Sequence, residues 1–211
     1  MFLKQKLNKI SNEERWNVYT HLPAIILSII GGIDLLFIEK SIFHKINLGD
    51  VIYIFSLIFL FTCSTVYHLV SGPLKIFWRR LDHIAIFILI AGTYTPVCLN
   101  TLIETPGKVI LYSIWTIAFL GILFKIFFIN KYEVISLLLY IGMGWILIFD
   151  INSIIKIFNF NSLLLLFMGG AFYTTGVVFY RMNNLAYNHA IWHVFIVLGA
   201  ISHFLMIKEL I

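Results

Sequence analysis

Seven apolar runs of roughly 20 residues, parted by short polar breaks, dictate what this chain can fold into. A helix of about that length crosses some 30 Å of hydrocarbon, with every backbone polar group bonded internally. A membrane β-barrel would instead show short segments of alternating polarity. Composition agrees: of 211 residues, 61% are hydrophobic and only 12% charged, against about one quarter charged in a soluble domain. The expected fold is an all-α, polytopic, seven-transmembrane helix bundle in the cell membrane. The whole chain reads as one membrane domain, residues 1–211, opened by a basic segment, 1–16.

The expected spans are residues 17–38, 48–70, 81–99, 109–129, 134–149, 162–180 and 188–207. Short connections make consecutive helices antiparallel neighbours. The net charge of +5 does not point to nucleic acid, because the basic residues flank the spans. Ten Lys and Arg fall on the side of the N-terminus: Lys4, Lys6, Lys9, Arg15, Lys75, Arg79, Arg80, Lys125, Lys131 and Arg181. Five fall on the other: Lys40, Lys45, Lys108, Lys156 and Lys208. The richer side is expected to be cytoplasmic, with the C-terminus outside. The first apolar run is too long for a cleaved signal peptide, and no small-residue cleavage site follows it. Leu3, Leu7 and Ile10 suit a short interfacial helix, and Ser11-x-x-Glu14 suits a capping box that starts the next one. Cys63 and Cys98 sit inside apolar runs and imply no disulfide framework.

Within this frame each polar residue acquires a depth. His189 and His193 lie four apart, on one face of the last helix. His68 closes the second span, with Ser64 one turn deeper on the same face. Asp82 and His83 open the third, and Asn17, Thr20 and His21 open the first. Ionisable groups at membrane depth are costly and mark function by default. Three neutral imidazoles make an open zinc site, and His68, His189 and His193 are the expected ligands. A metal held there would bring the pKa of a coordinated water to about 7. Ala190 occupies the place of the glutamate in an H-E-x-x-H motif, so a proton acceptor must come from elsewhere. Asp82 is the candidate acceptor, and Ser64 a candidate donor to a developing oxyanion.

Plainer readings stand beside these. The histidines also suit interhelical hydrogen bonds, Asp82 a partner for Arg79 or Arg80 or a helix cap, and Ser64 helix packing. His83 is expected to point away from Asp82, His21 to support the site, and His203 to pack, being too deep to share the ion. His44 falls in an outer loop, and Asp34 near the outer end of the first span. Pro96 should kink the third span or open a polar pocket. Gly142, Gly144, Gly169, Gly170 and Gly176 should let helices approach closely.

Several stretches together resemble one family. They are Glu13-Glu14-Arg15-Trp16-Asn17-Val18-Tyr19-Thr20-His21, Ser64-x3-His68, Asp82-His83 with Ala91-Gly92-Thr93-Tyr94-Thr95-Pro96, and Asn188-His189-Ala190-Ile191-Trp192-His193. Gly169-Gly170-Ala171-Phe172-Tyr173 and Val178-Phe179-Tyr180 fit as well. The chain is similar over nearly its whole length to the hemolysin III family. This is the bacterial branch of the progestin and adipoQ receptor (PAQR) membrane proteins. The resemblance implies a seven-helix bundle with zinc near the cytoplasmic face, held at His68, His189 and His193. It implies kinship with alkaline ceramidases in a superfamily regarded as metal-dependent membrane hydrolases. Ser64 and Asp82 match the remaining signature positions.

Three functions compete at this stage: a zinc-dependent hydrolase of a lipid amide or ester, a pore-forming cytolysin, and a sensor or receptor with structural zinc. Membrane lipid is the expected partner and a lipid-like molecule the expected substrate. No nucleic acid is expected, and the sequence does not set the oligomeric state.

Overall fold

The computed structural model describes residues 7, 10–38, 47–104, 106–129 and 131–210. The interfacial helix expected around Leu3 and the loop holding His44 lie largely outside them. Seven helical spans are long and apolar enough to cross a membrane: Asn12–Phe37, Leu48–Leu69, Pro73–Thr101, Gly107–Phe128, Glu133–Ile157, Phe160–Arg181 and Asn188–Leu210. They are named here first to seventh.

Local chemistry sets their ends. Ser11 Oγ accepts from Glu14 N at 3.3 Å to start the first span, and Asn47 and Asn159 side chains cap the second and sixth in the same way. The third span begins eight residues before the expected 81. Gly72 takes φ +67 and Pro73 occupies the first turn, a start signal that the polar residues Lys75, Arg79 and Arg80 hide from a hydropathy reading. The span runs as α-helix to Pro96, then opens into a π-turn over Val97–Thr101, the distortion that proline imposes. The fifth span is likewise interrupted, by a 3-10 stretch over Ile146–Asp150.

Hydroxyls inside the spans turn back on their own helices. Ser28, Thr93, Thr95, Thr174 and Ser202 each donate to the carbonyl four residues earlier, so no partner is needed from lipid. The second and third spans are innermost, with 61% of their apolar windows buried, against 17% for the sixth. The bundle closes because the first span packs on both the second and the seventh. At the end remote from Glu14, Lys208 Nζ donates to Asp34 Oδ2 at 2.8 Å, tying the seventh span to the first.

The sixth and seventh spans form the most extensive helix pair. Their glycines explain it. Gly176 lies under Trp192 and Phe195, Gly169 under the His203 ring, and Gly199 of the seventh span under Tyr173 of the sixth. Each helix thus lends holes to the other's large side chains, which draws the backbones close. Gly142 and Gly144 play no such part, because a methyl group at either would meet nothing within 4 Å. The expected close approach fails there. Gly144 instead borders an internal cavity, and its carbonyl accepts from Tyr94 OH at 2.9 Å.

The two kinds of glycine should separate cleanly in thermal unfolding of detergent-solubilised protein. Gly176→Leu and Gly199→Leu should each cost about 1–3 kcal/mol through overpacking. Gly142→Ala should leave the midpoint unchanged or raise it, by up to about 1 kcal/mol, because alanine favours helix over glycine.

Candidate metal centre

The site forms where the last turn of the second span meets the first two turns of the seventh. His189 and His193 lie one turn apart, with ring centroids separated by 4.6 Å. The His68 ring lies 5.1 Å from the first and 5.0 Å from the second. One nitrogen from each of the three falls within 4.8 Å of the others, a group that could hold a metal ion. His68 and His193 are each only 2% exposed.

A ligand imidazole must present a bare nitrogen, so its other nitrogen has to keep the proton. The surroundings of two rings meet that demand. His68 Nδ1 hydrogen-bonds Glu14 Oε2, and Lys75 Nζ donates to Glu14 Oε1, so a cation backs the carboxylate. The Asn17 side-chain amide sits 3.3 Å from the same His68 nitrogen, and because its Oδ1 is otherwise buried without a partner, the amide turned over would accept there as well. His193 Nδ1 lies 3.3 Å from the Asn17 carbonyl and 3.2 Å from Thr20 Oγ1. Because Thr20 Oγ1 donates to the Asn17 carbonyl at 2.8 Å, its lone pairs face His193. Both Nδ1 atoms are therefore donors, which leaves each Nε2 as a lone pair. His68 Nε2 and His189 Nε2 are buried with no hydrogen-bond partner. Orphaned imidazole nitrogens turned toward one point in a buried site fit a borderline metal such as zinc better than magnesium or calcium.

Sequence reasoning missed the outer contacts. Ser11-x-x-Glu14 was expected as a capping box, and Ser11 does cap the helix, but the Glu14 side chain leaves the cap for His68 and Lys75. Glu14, Asn17 and His21 recur every three to four residues, so the first span sets one polar face against the site. That spacing was the available signal. His21 stacks on His193 with centroids 3.7 Å apart and planes at 13°, its edge against Phe61. Both His21 ring nitrogens lack partners, so it supports the site by packing.

Beside the histidines lies a cavity of about 110 Å³. Asp82 and Ser64 line it together with His21, His189 and His193. Asp82 is not the ion-pair partner of its own helix: Arg79 Nη2 bonds Glu133 Oε1 at 2.8 Å instead. Ser64 faces Asp82, yet its hydroxyl makes no hydrogen bond of ordinary geometry and stays available. His83 departs from expectation, since it also lines the cavity. Its backbone carbonyl accepts from Tyr140 OH at 2.9 Å. His203 remains apart from the triad, 5.4 Å from Tyr173 ring to ring and with Nε2 3.3 Å from the Leu166 carbonyl.

Comparison with known proteins places this arrangement. A family model described as Haemolysin-III related matches residues 9–204. Hemolysin-3 of Bacillus cereus is 37% identical over 201 residues, covering 94% of this chain and 92% of the relative. A Hemolysin-3 homolog of Bacillus subtilis is 34% identical, covering 91% of both chains. The human monocyte to macrophage differentiation factor is 30% identical, covering 91% of this chain and 82% of its own. The match spans all seven helices and every residue of the candidate site, so the chain is a multi-pass membrane protein that belongs to the haemolysin III family.

Proposed function

We propose that the protein is a zinc-dependent hydrolase of a membrane lipid amide or ester. Its site would lie on the cytoplasmic side, since ten of the fifteen Lys and Arg residues accompany that end of the helices. One observation carries the reading. His189 and His193, two of the three imidazoles whose nitrogens lie within 4.8 Å of one another, line the same cavity as the Asp82 carboxylate and the Ser64 hydroxyl. A structural site would need the ligands alone, and the carboxylate and hydroxyl would have no task.

His68, His189 and His193 would hold the ion. Zinc bound there supplies Lewis acidity and acidifies a coordinated water. Asp82 is the group placed to accept a proton and pass it to the leaving amine or alcohol, because Arg79 is spent on Glu133. Ser64 donates to the carbonyl oxygen as negative charge builds on it, which is worth most in a water-poor site. Glu14 holds the His68 tautomer, and the Asn17 carbonyl holds that of His193. The largely apolar cavity would receive the acyl chain and shed water from the reacting carbonyl.

Elemental analysis of the purified protein should find about one zinc per chain, absent from His193→Ala. Asp82→Asn should keep the metal yet lower turnover of a panel of fluorescent N-acyl and O-acyl lipids at least about 100-fold, the usual reach of a lost general base. Full metal loading with no turnover of any panel member would turn the reading toward structural zinc. Vesicle leakage that survives replacement of all three histidines would turn it toward a pore. Glu14→Gln should weaken zinc binding about 10- to 100-fold in a chelator competition, because it removes the carboxylate behind His68. Unchanged affinity would show that His68 needs no such support.

A further inference from the structure

Lys125 is the anomaly of the bundle. It lies one turn from the end of the fourth span, where a lysine ordinarily stretches its ammonium out to water. Here it turns inward, with 0% of its surface exposed. Its Nζ borders the cavity and has no hydrogen-bond partner. The carboxylate that faces it, Glu133, already takes Arg79 Nη2 at 2.8 Å. Lys125 thus brings a cation without an ion-pair partner to a cavity wall that Asp82 and Glu133 also line.

Two more unpartnered polar atoms join it. Ser136 Oγ, on the fifth span one turn after Glu133, is fully buried and lines the cavity. His83 Nδ1, on the third span, is buried and lines it as well. Lys125 faces His83 electrostatically, and Tyr140, one turn beyond Ser136, donates to the His83 carbonyl. Three helices therefore bring residues with an unpartnered ammonium, hydroxyl and imidazole nitrogen to the wall of one cavity. Buried polar groups without partners cost several kcal/mol apiece in hydrocarbon surroundings, and all three of these can donate to the same acceptor.

We infer that Lys125, Ser136 and His83 form an anion-binding subsite that selects amphiphiles with a negatively charged head group. The head group, a phosphate or a carboxylate, docks on Lys125. The chain runs deeper, between Leu89 and Ile90 of the third span and Trp145 and Tyr173 of the fifth and sixth. Asp82, His189 and His193 line the same cavity, so a molecule held this way shares it with the candidate metal centre. The inference rests on the cavity being the substrate site and adds the charge of the substrate.

Binding can be read without turnover, so this subsite and the hydrolase reading stand or fall separately. Trp145 and Trp192 line the cavity and respond to a brominated chain. In non-ionic detergent, three amphiphiles with one brominated chain should be titrated: an alkyl phosphate, a fatty acid and a monoacylglycerol. The wild type should be quenched by one or both anionic probes at about tenfold lower concentration than by the neutral one, the low end for a charge-assisted hydrogen bond. Lys125→Met should abolish the preference and leave the neutral titration unchanged. Lys125→Arg should keep it, and Ser136→Ala should reduce it a few-fold. If Lys125→Met does not fold, as judged by thermal unfolding, Ser136→Ala and Lys125→Arg decide the matter. Equal quenching by all three probes in the wild type overturns the proposal, as does a preference that survives every substitution. Displacement of the anionic probe by inorganic phosphate alone at similar concentration also overturns it, by showing that the anion comes from solution.

Discussion

A nitrogen or oxygen placed inside hydrocarbon has no water to fall back on, and this bundle is arranged around that fact. Several of its polar groups are silenced locally, as hydroxyls that bond their own helix one turn back. Many of the groups left without a partner gather at one end, around His68, His189 and His193. There the first span acts as the organiser. It contributes no ligand to the triad, yet its Glu14, Asn17 and Thr20 determine which nitrogen of each neighbouring ring is bare.

Satisfaction is deliberately incomplete. The ladder of partners Lys75–Glu14–His68 ends on a ring nitrogen with nothing to bond, and so does the approach to His189. Around the cavity the same shortfall recurs at Lys125, Ser136 and His83. A bundle tuned only for stability would have filled such positions with apolar side chains, as it does for most of the third and fourth spans. Leftover donors and acceptors at membrane depth are affinity held in reserve for something that enters.

The broad architecture was legible because span length and hydropathy are properties of consecutive residues. All seven helices and the His189–His193 pair follow from spacing along the chain, and the alternating direction of the spans brings His68 to the same depth. The third span's early start was harder to see, since Gly72-Pro73 carries the signal while three basic residues mask it. Glu14 was misjudged in part because its local partner, Ser11, offered a complete explanation. Its true partners are 54 and 61 residues away, on the second and third spans, and no local rule reaches them. Lys125 was counted among the orientation-setting charges, and only packing reveals that it faces inward. His83 was set aside on helical angle, but a cavity walled by several helices is wide enough to be met from adjacent positions.

The triad joins the second span to the seventh, which is synthesised well after it. Until the seventh span enters the bilayer, His68 has its carboxylate from the first helix and no fellow imidazole. The pocket thus works as a clasp that snaps shut only once the seventh span is in place. A copy stalled before the seventh span would carry only the loose half of the clasp, one imidazole of the three.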